Sequence, residues 1–222
     1  MIYGSTDFMN FPWETIIKLY RDKLGNRNFK KLDDFSVNFL KFLENPTISP
    51  VKAQKDYYIK FLTSYFALMV DNINKKVEQH ILINGDITDS TIRDIVNDVI
   101  IFHYKDWDTA KVLPTLPNEH GKNVTSKYEK DILKAIKSIF QKLPLSKTNT
   151  DRLIKICEYV CIKDRFVFKP TGIVLAGFGI DEMFPALAAF TIESIIVNKL
   201  KYRIDHKIKI DDNTRASIHS FA

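Results

Sequence analysis

Three groups of residues have types and spacings that chemistry would use. Near the C-terminal end, Ser217, His219 and Ser220 put two hydroxyls beside an imidazole, the parts of a hydroxyl nucleophile and its base. On an extended strand His219 and Ser220 point to opposite sides. Ser217 shares a side with His219, but no third group is evident to orient the ring. Cys157 and Cys161 stand four apart, which on a helix places both thiols on one face. A metal held there would need two further ligands. The histidines, His80, His103, His120, His206 and His219, form neither H-x-x-x-H nor H-E-x-x-H. The cysteines are therefore expected as buried thiols and the histidines as surface or hydrogen-bonded core residues, with no metal or cofactor. Gly172, Gly177 and Gly179 fit neither glycine-rich phosphate pattern, and no Lys-Ser/Thr pair follows them.

The elements that would position these residues follow from periodicity. The chain has 222 residues, 45% apolar and 27% charged, the balance of a globular protein. Residues 1–4 read as a strand ending at Gly4. Apolar spacings of three and four predict helices over 12–24, 33–44, 51–83, 89–103, 126–143 and 150–162. Asp33 or Asp34 is expected to cap the second, and the Ser126 to Glu129 run has the form of a capping box. Residues 104–124, with Pro114, Pro117 and Gly121, are expected as a long loop. The apolar stripe of 57–66 is expected in the core or at a subunit contact.

The C-terminal part changes character. Residues 172–179 and 186–197 are apolar, β-rich runs, and from 199 to 210 the residues alternate strictly. Leu200, Tyr202, Ile204, His206, Ile208 and Ile210 take one face. Lys199, Lys201, Arg203, Asp205, Lys207 and Lys209 take the other, expected as a solvated outer face. Asp211 to Asn213 supplies a turn, and 216–222 could begin another strand.

Two stretches carry a family resemblance. Ile2-Tyr3-Gly4-Ser5-Thr6-Asp7, followed by two helices, resembles the strand, small-residue turn and helix pair of proteasome subunits and their bacterial relatives. Ile173-Val174-Leu175-Ala176-Gly177-Phe178-Gly179, then Pro185 and antiparallel strands, resembles that family's next strands. Phe11 to Ile17 and Ala176 to Gly179 are also similar to an uncharacterised bacterial branch. The resemblance covers nearly half the chain. It implies an α+β fold, a partial Ntn-hydrolase-like αββα sandwich of antiparallel sheets with helices. Residues 1–45 and 166–222 would form this incomplete core, and 46–165 a large helical insertion.

In that family an N-terminal Thr, Ser or Cys attacks a carbonyl. Its own amine is the base, a Lys lowers local pKa values, and a backbone N–H binds the oxyanion. Only the last carries over: Gly4 matches the oxyanion-hole glycine. A strand-ending glycine needed for its φ angle explains Gly4 equally. The nucleophile and Lys strands would precede Met1, and Ile2 has no nucleophilic atom. The sequence thus reads as a fragment, truncated at both ends, of an N-terminal-nucleophile amidohydrolase or peptidase, inactive by itself. The alternative is a noncatalytic assembly or partner-binding protein acting through the helical insertion. Self-association, or cover by missing upstream strands, is expected, and a protein partner fits the alternative. No run approaches the roughly 18 apolar residues of a membrane span. No secretory leader is evident, so a cytoplasmic location is expected. The net charge of +6 is too small to call for a nucleic-acid partner.

Overall fold

The computed structural model describes residues 1–167 and 169–209. Ser217, His219, Ser220, the 211–213 turn and the C-terminal strand expected at 216–222 lie outside the described residues. The chain is a mixed α+β protein with antiparallel sheets. It divides into two compact units, one of Met1–Gln54 with Phe166–Ala222 and one of Lys55–Arg165.

The first unit opens with β1 (Ile2–Gly4), followed by a small hairpin of β2 (Asp7–Phe8) and β3 (Phe11–Pro12). Met9 and Asn10 turn this hairpin at φ 51° and 71°. Two successive positive φ values are what a two-residue turn between right-twisted strands requires. The hairpin has no alternating pattern and was not expected from the sequence. Two helices follow, α1 (Trp13–Leu24) and α2 (Leu32–Leu43). Gly25 closes α1 at φ 55°, its N–H reaching the Arg21 carbonyl at 3.0 Å. The expected cap of α2 is corrected. Lys31 is the N-cap residue, and Asp34 sits at the third helical position, accepting from the Lys31 N–H at 3.2 Å.

The unit's sheet is completed by β4 (Thr171–Gly177), β5 (Ala186–Ile196) and β6 (Lys199–Lys209). Its order is β1-β4-β5-β6, antiparallel throughout, and α2 packs against β4 and β5. Val197 and Asn198 join β5 to β6 at φ 48° and 58°, a second two-residue turn. Gln54, fully buried, clamps that turn. Its Oε1 accepts from the Asn198 N–H at 2.8 Å and its Nε2 donates to Asn198 Oδ1 at 3.0 Å.

Regular alternation breaks between β5 and β6. The register slips between Ala189 and Phe190 and again between Ile192 and Ser194. Each bulge moves the residues beyond it to the other face. The expected two-faced strand is corrected: Lys201 is buried, and Ile204 on the supposed apolar face is 43% exposed.

The second unit is helical. It takes α3 (Val51–Asn84) from Lys55 onward, then α4 (Asp89–Asp108), α5 (His120–Lys127), α6 (Glu129–Ile139) and α7 (Lys147–Ile162). At 1.5 Å per residue α3 is about 50 Å long. Tyr58, Phe61, Leu62, Phe66 and Met69 form its buried stripe. The loop expected over 104–124 is in fact shorter, because α4 runs on to Asp108 and α5 begins at His120. α5 can form there because Gly121 lets it lie against α7, where a Cβ would fall 2.7 Å from the Glu158 carbonyl oxygen. Ser126 lies within α5, so it is not the capping residue expected of it. Cys157 and Cys161 are buried free thiols of α7. Among the described residues no helix is long and apolar enough to cross a membrane.

Candidate functional site

The end of β1 is the place where the sequence put chemistry. Met1 and Val174 exchange both backbone bonds, at 2.9 and 2.8 Å. Bonded and non-bonded pairs alternate along an antiparallel ladder, so Tyr3 with Gly172 is the next bonded pair. Gly4, opposite Thr171, then falls at a non-bonded position, where the N–H points away from β4. Gly4 has φ 87°, and a Cβ there would sit 2.7 Å from the Pro170 carbonyl oxygen. Both the torsion and the contact require glycine.

The surroundings hold this strand end firmly. The Trp13 indole donates to Thr171 Oγ1 at 3.1 Å, and Phe8 stacks on Trp13 at 5.1 Å. Met9 Sδ accepts from the Ile195 N–H at 3.2 Å, tying the β2–β3 turn to β5. Ser5 Oγ donates to the Asp7 carbonyl at 2.9 Å, and Thr6 Oγ1 donates to Asp7 Oδ1 at 3.2 Å. Among the described residues no imidazole or amine hydrogen-bonds either hydroxyl. The arrangement offers a backbone donor and no activated nucleophile.

No protein-family model, curated protein or solved structure matches this chain.

A second polar group, not expected from the sequence, lies on β5 and β6. Lys201 Nζ meets Glu193 Oε2 at 2.7 Å, with side chains 1% and 4% exposed. Glu193 Oε1 accepts from the Val167 N–H at 2.8 Å. Lys201 Nζ and Arg203 Cζ lie 5.1 and 5.3 Å from the centre of the Phe166 ring. Asp205 accepts from Arg203 Nε and from Thr191 Oγ1, each at 2.7 Å. The two acids occupy the two places where the register slips: Glu193 is passed over in β5 and Asp205 in β6. Both Glu193 oxygens are bonded, so the pair holds structure. A lone acid inside the apolar run 186–197 was the one sequence signal for it.

In the helical unit, His103 is a buried titratable group with polar neighbours. The Trp107 indole donates to the Tyr65 hydroxyl at 2.9 Å, and that hydroxyl is hydrogen-bonded to His103 Nδ1 at 2.8 Å. The Asn72 amide nitrogen lies 3.3 Å from His103 Nε2, so both ring nitrogens have a polar partner. Phe102 packs edge-on to the ring, and Asp106 bonds to Arg165 nearby. Burial pushes the His103 pKa below its ordinary value of 6.5, against the opposing pull of the Asp106 carboxylate and with a smaller push from Arg165. The unfolded chain then binds the extra proton more readily, so stability rises with pH in this window. The contribution is complete above 6.5 and is lost as pH falls from there toward the folded-state value. Urea midpoints measured from about pH 7 to 5 should fall less steeply in His103→Gln than in the parent. Equal slopes would dismiss His103 as a source of acid sensitivity. Among the described residues no group of His, Cys, Asp and Glu could hold a metal ion.

Proposed function

We propose that the sheet-bearing unit is the oxyanion-binding side of a proteasome-like, N-terminal-nucleophile amidohydrolase or peptidase core. One observation carries the reading. A glycine-ended strand, with its N–H directed off the ladder, is followed by a short hairpin and two helices and, after the helical unit, by three further antiparallel strands of the same sheet. That order is the one the family resemblance implies, and Gly4 stands where an oxyanion donor is needed. The free thiols Cys157 and Cys161 suit the reducing cytoplasm that goes with the reading.

The nucleophile of such a reaction lies outside the described residues. The Met1 amine donates to the Val174 carbonyl at 2.9 Å, and Ile2 cannot attack a carbonyl. The purified chain is therefore expected to leave fluorogenic peptide amides intact. The native gene product, isolated from its own cells, is expected to cleave them and to take an electrophilic label on a Thr, Ser or Cys outside residues 1–209. Turnover by the purified chain that a substitution within 1–209 abolishes would refute this reading.

A noncatalytic role in assembly, through the helical unit, is the second reading. Leu82 and Ile83, at the end of α3, are 84% and 81% exposed, and Phe102 of α4 also faces solvent. Native gene product that is inert toward peptides and electrophiles would favour it.

A further inference from the structure

The loop between β4 and β5, residues 178–185, is built in an unusual way. Phe178, Ile180 and Met183 are 72%, 70% and 88% exposed, yet the loop is fastened from below. The Ile180 and Asp181 N–H groups donate to the carbonyls of Phe29 and Lys30 at 2.9 and 3.0 Å. Glu182 Oε2 accepts from the Gly179 N–H at 2.9 Å and from the Leu32 N–H at 2.8 Å, so this acid also satisfies the first turn of α2. Those two bonds hold its carboxyl below the usual carboxylate range. Gly179 presses so closely on the 30–31 backbone that a Cβ would lie 2.1 Å from the Lys30 oxygen. Solvent-facing apolar side chains on a loosely held loop would mean little. Here the backbone is tied to hold them outward, and a contiguous apolar patch of this kind marks an interaction surface.

Beside the loop is an open groove of about 600 Å³. Its floor is apolar, from Leu24, Phe29, Leu32, Phe35 and Leu175. Among the described residues its charged lining is Arg27 and Lys31, with no carboxylate. The nearby acids are turned to partners within the chain. Asp33 bonds to Lys207 at 2.9 Å, Asp34 to the Lys31 N–H, and Glu182 to two backbone groups. Lys30 adds another exposed cation, and Asp181 is the one further exposed acid of the loop. A surface with an apolar floor, projecting apolar side chains and a cationic rim matches a ligand of the opposite charge and similar polarity. The apolar side chains continue beyond the groove along the loop, so the matching ligand is elongated, unlike a small molecule enclosed on most sides.

We propose that this groove and loop bind a segment of another protein in which acidic residues are interleaved with bulky apolar ones. The site is independent of Gly4 and of the hydrolase reading. The probe is a fluorescein-labelled peptide alternating Glu with Leu and Phe, set against a counterpart with Lys at every Glu. Anisotropy titrations with the full chain should show saturable binding of the acidic peptide, weakened by salt, and about tenfold weaker binding of the basic one. The double variant Arg27→Glu, Lys31→Glu should reverse that preference. Phe178→Ser with Ile180→Ser should weaken the acidic peptide about tenfold, since these exposed side chains can be removed without opening the core. Equal binding of both peptides, binding unchanged in both variants, or no saturable binding would overturn the proposal. So would self-association abolished by Phe178→Ser with Ile180→Ser, which would give the surface to a second copy. Binding to phosphatidylserine vesicles with none to the peptide would overturn it in favour of a lipid surface.

Discussion

Lys201→Met is expected to destabilise the sheet-bearing unit by about 3–5 kcal/mol, although it replaces a charge by a well-matched apolar side chain. The loss arises at Glu193. With Lys201 gone, that carboxylate stays 4% exposed with one oxygen on the Val167 N–H and loses its 2.7 Å ion pair. Two charges taken from water are tolerable only while each compensates the other. The second arm of the test is the double variant Lys201→Met, Glu193→Gln. Gln keeps an acceptor for Val167 and removes the charge, so more than half of the lost stability should return. Replacing Glu193 by an apolar residue should restore less, because the Val167 N–H would lose its acceptor. Urea unfolding, with amide exchange followed across β5 and β6, gives the comparison. A single variant costing under about 1 kcal/mol, or a double variant no better than the single, would mean that the pair is not balanced as its geometry implies.

Trp107→Ala is expected to destabilise the helical unit by about 3–5 kcal/mol. Trp107 is fully buried, its ring lies edge-on to Tyr65 at 6.1 Å, and the Arg165 guanidinium sits 5.5 Å from it. Its loss opens a cavity and also removes the indole N–H from the Tyr65 hydroxyl, which then no longer has a fixed orientation toward His103. Trp107→Phe separates these effects. It fills most of the volume and lacks the donor, so about 1–2 kcal/mol is expected, the size of one hydrogen bond with a small void. The chain has two tryptophans, so Trp107→Phe leaves Trp13 as a fluorescence reporter of the other unit. Exchange protection of α3 and α4 should fall in Trp107→Ala and change little in Trp107→Phe. Similar losses in the two variants would show that the hydrogen bond, and not the packed volume, carries the stability.

Both predictions concern residues whose role the sequence concealed, and the reason is range. Local patterns were sufficient for α1, α2, α3, α7 and the strands β4 to β6, because an apolar stripe at helical spacing or a β-rich run specifies its own element. The same applies to Gly25 as a helix end and to Gly4 as a strand end, where a positive φ demands glycine whatever the partner. Residues 1–4 also pair with the 171–174 region, where unsatisfied strand edges needed a partner.

What the tertiary structure alone decided involves partners far apart in the chain. Alternation placed Lys201 with Lys199 and Lys209 on a wet face. In the fold it is buried against Glu193, the acid at one of the two register slips, and no local pattern records a bulge. α2 was expected to be capped by Asp33 or Asp34, but one of its first N–H groups is bonded to Glu182, from a loop 150 residues later. Gln54 reads as an ordinary polar residue at a helix start until the Asn198 turn is brought to it, 144 residues away. The His103 cluster depends on α3 and α4 meeting face to face, so a lone histidine in sequence becomes a buried group with a polar partner at each ring nitrogen. Periodicity is a property of neighbours and was readable. The pairing of buried polar groups is set by which distant elements pack together, and it became visible only once they had.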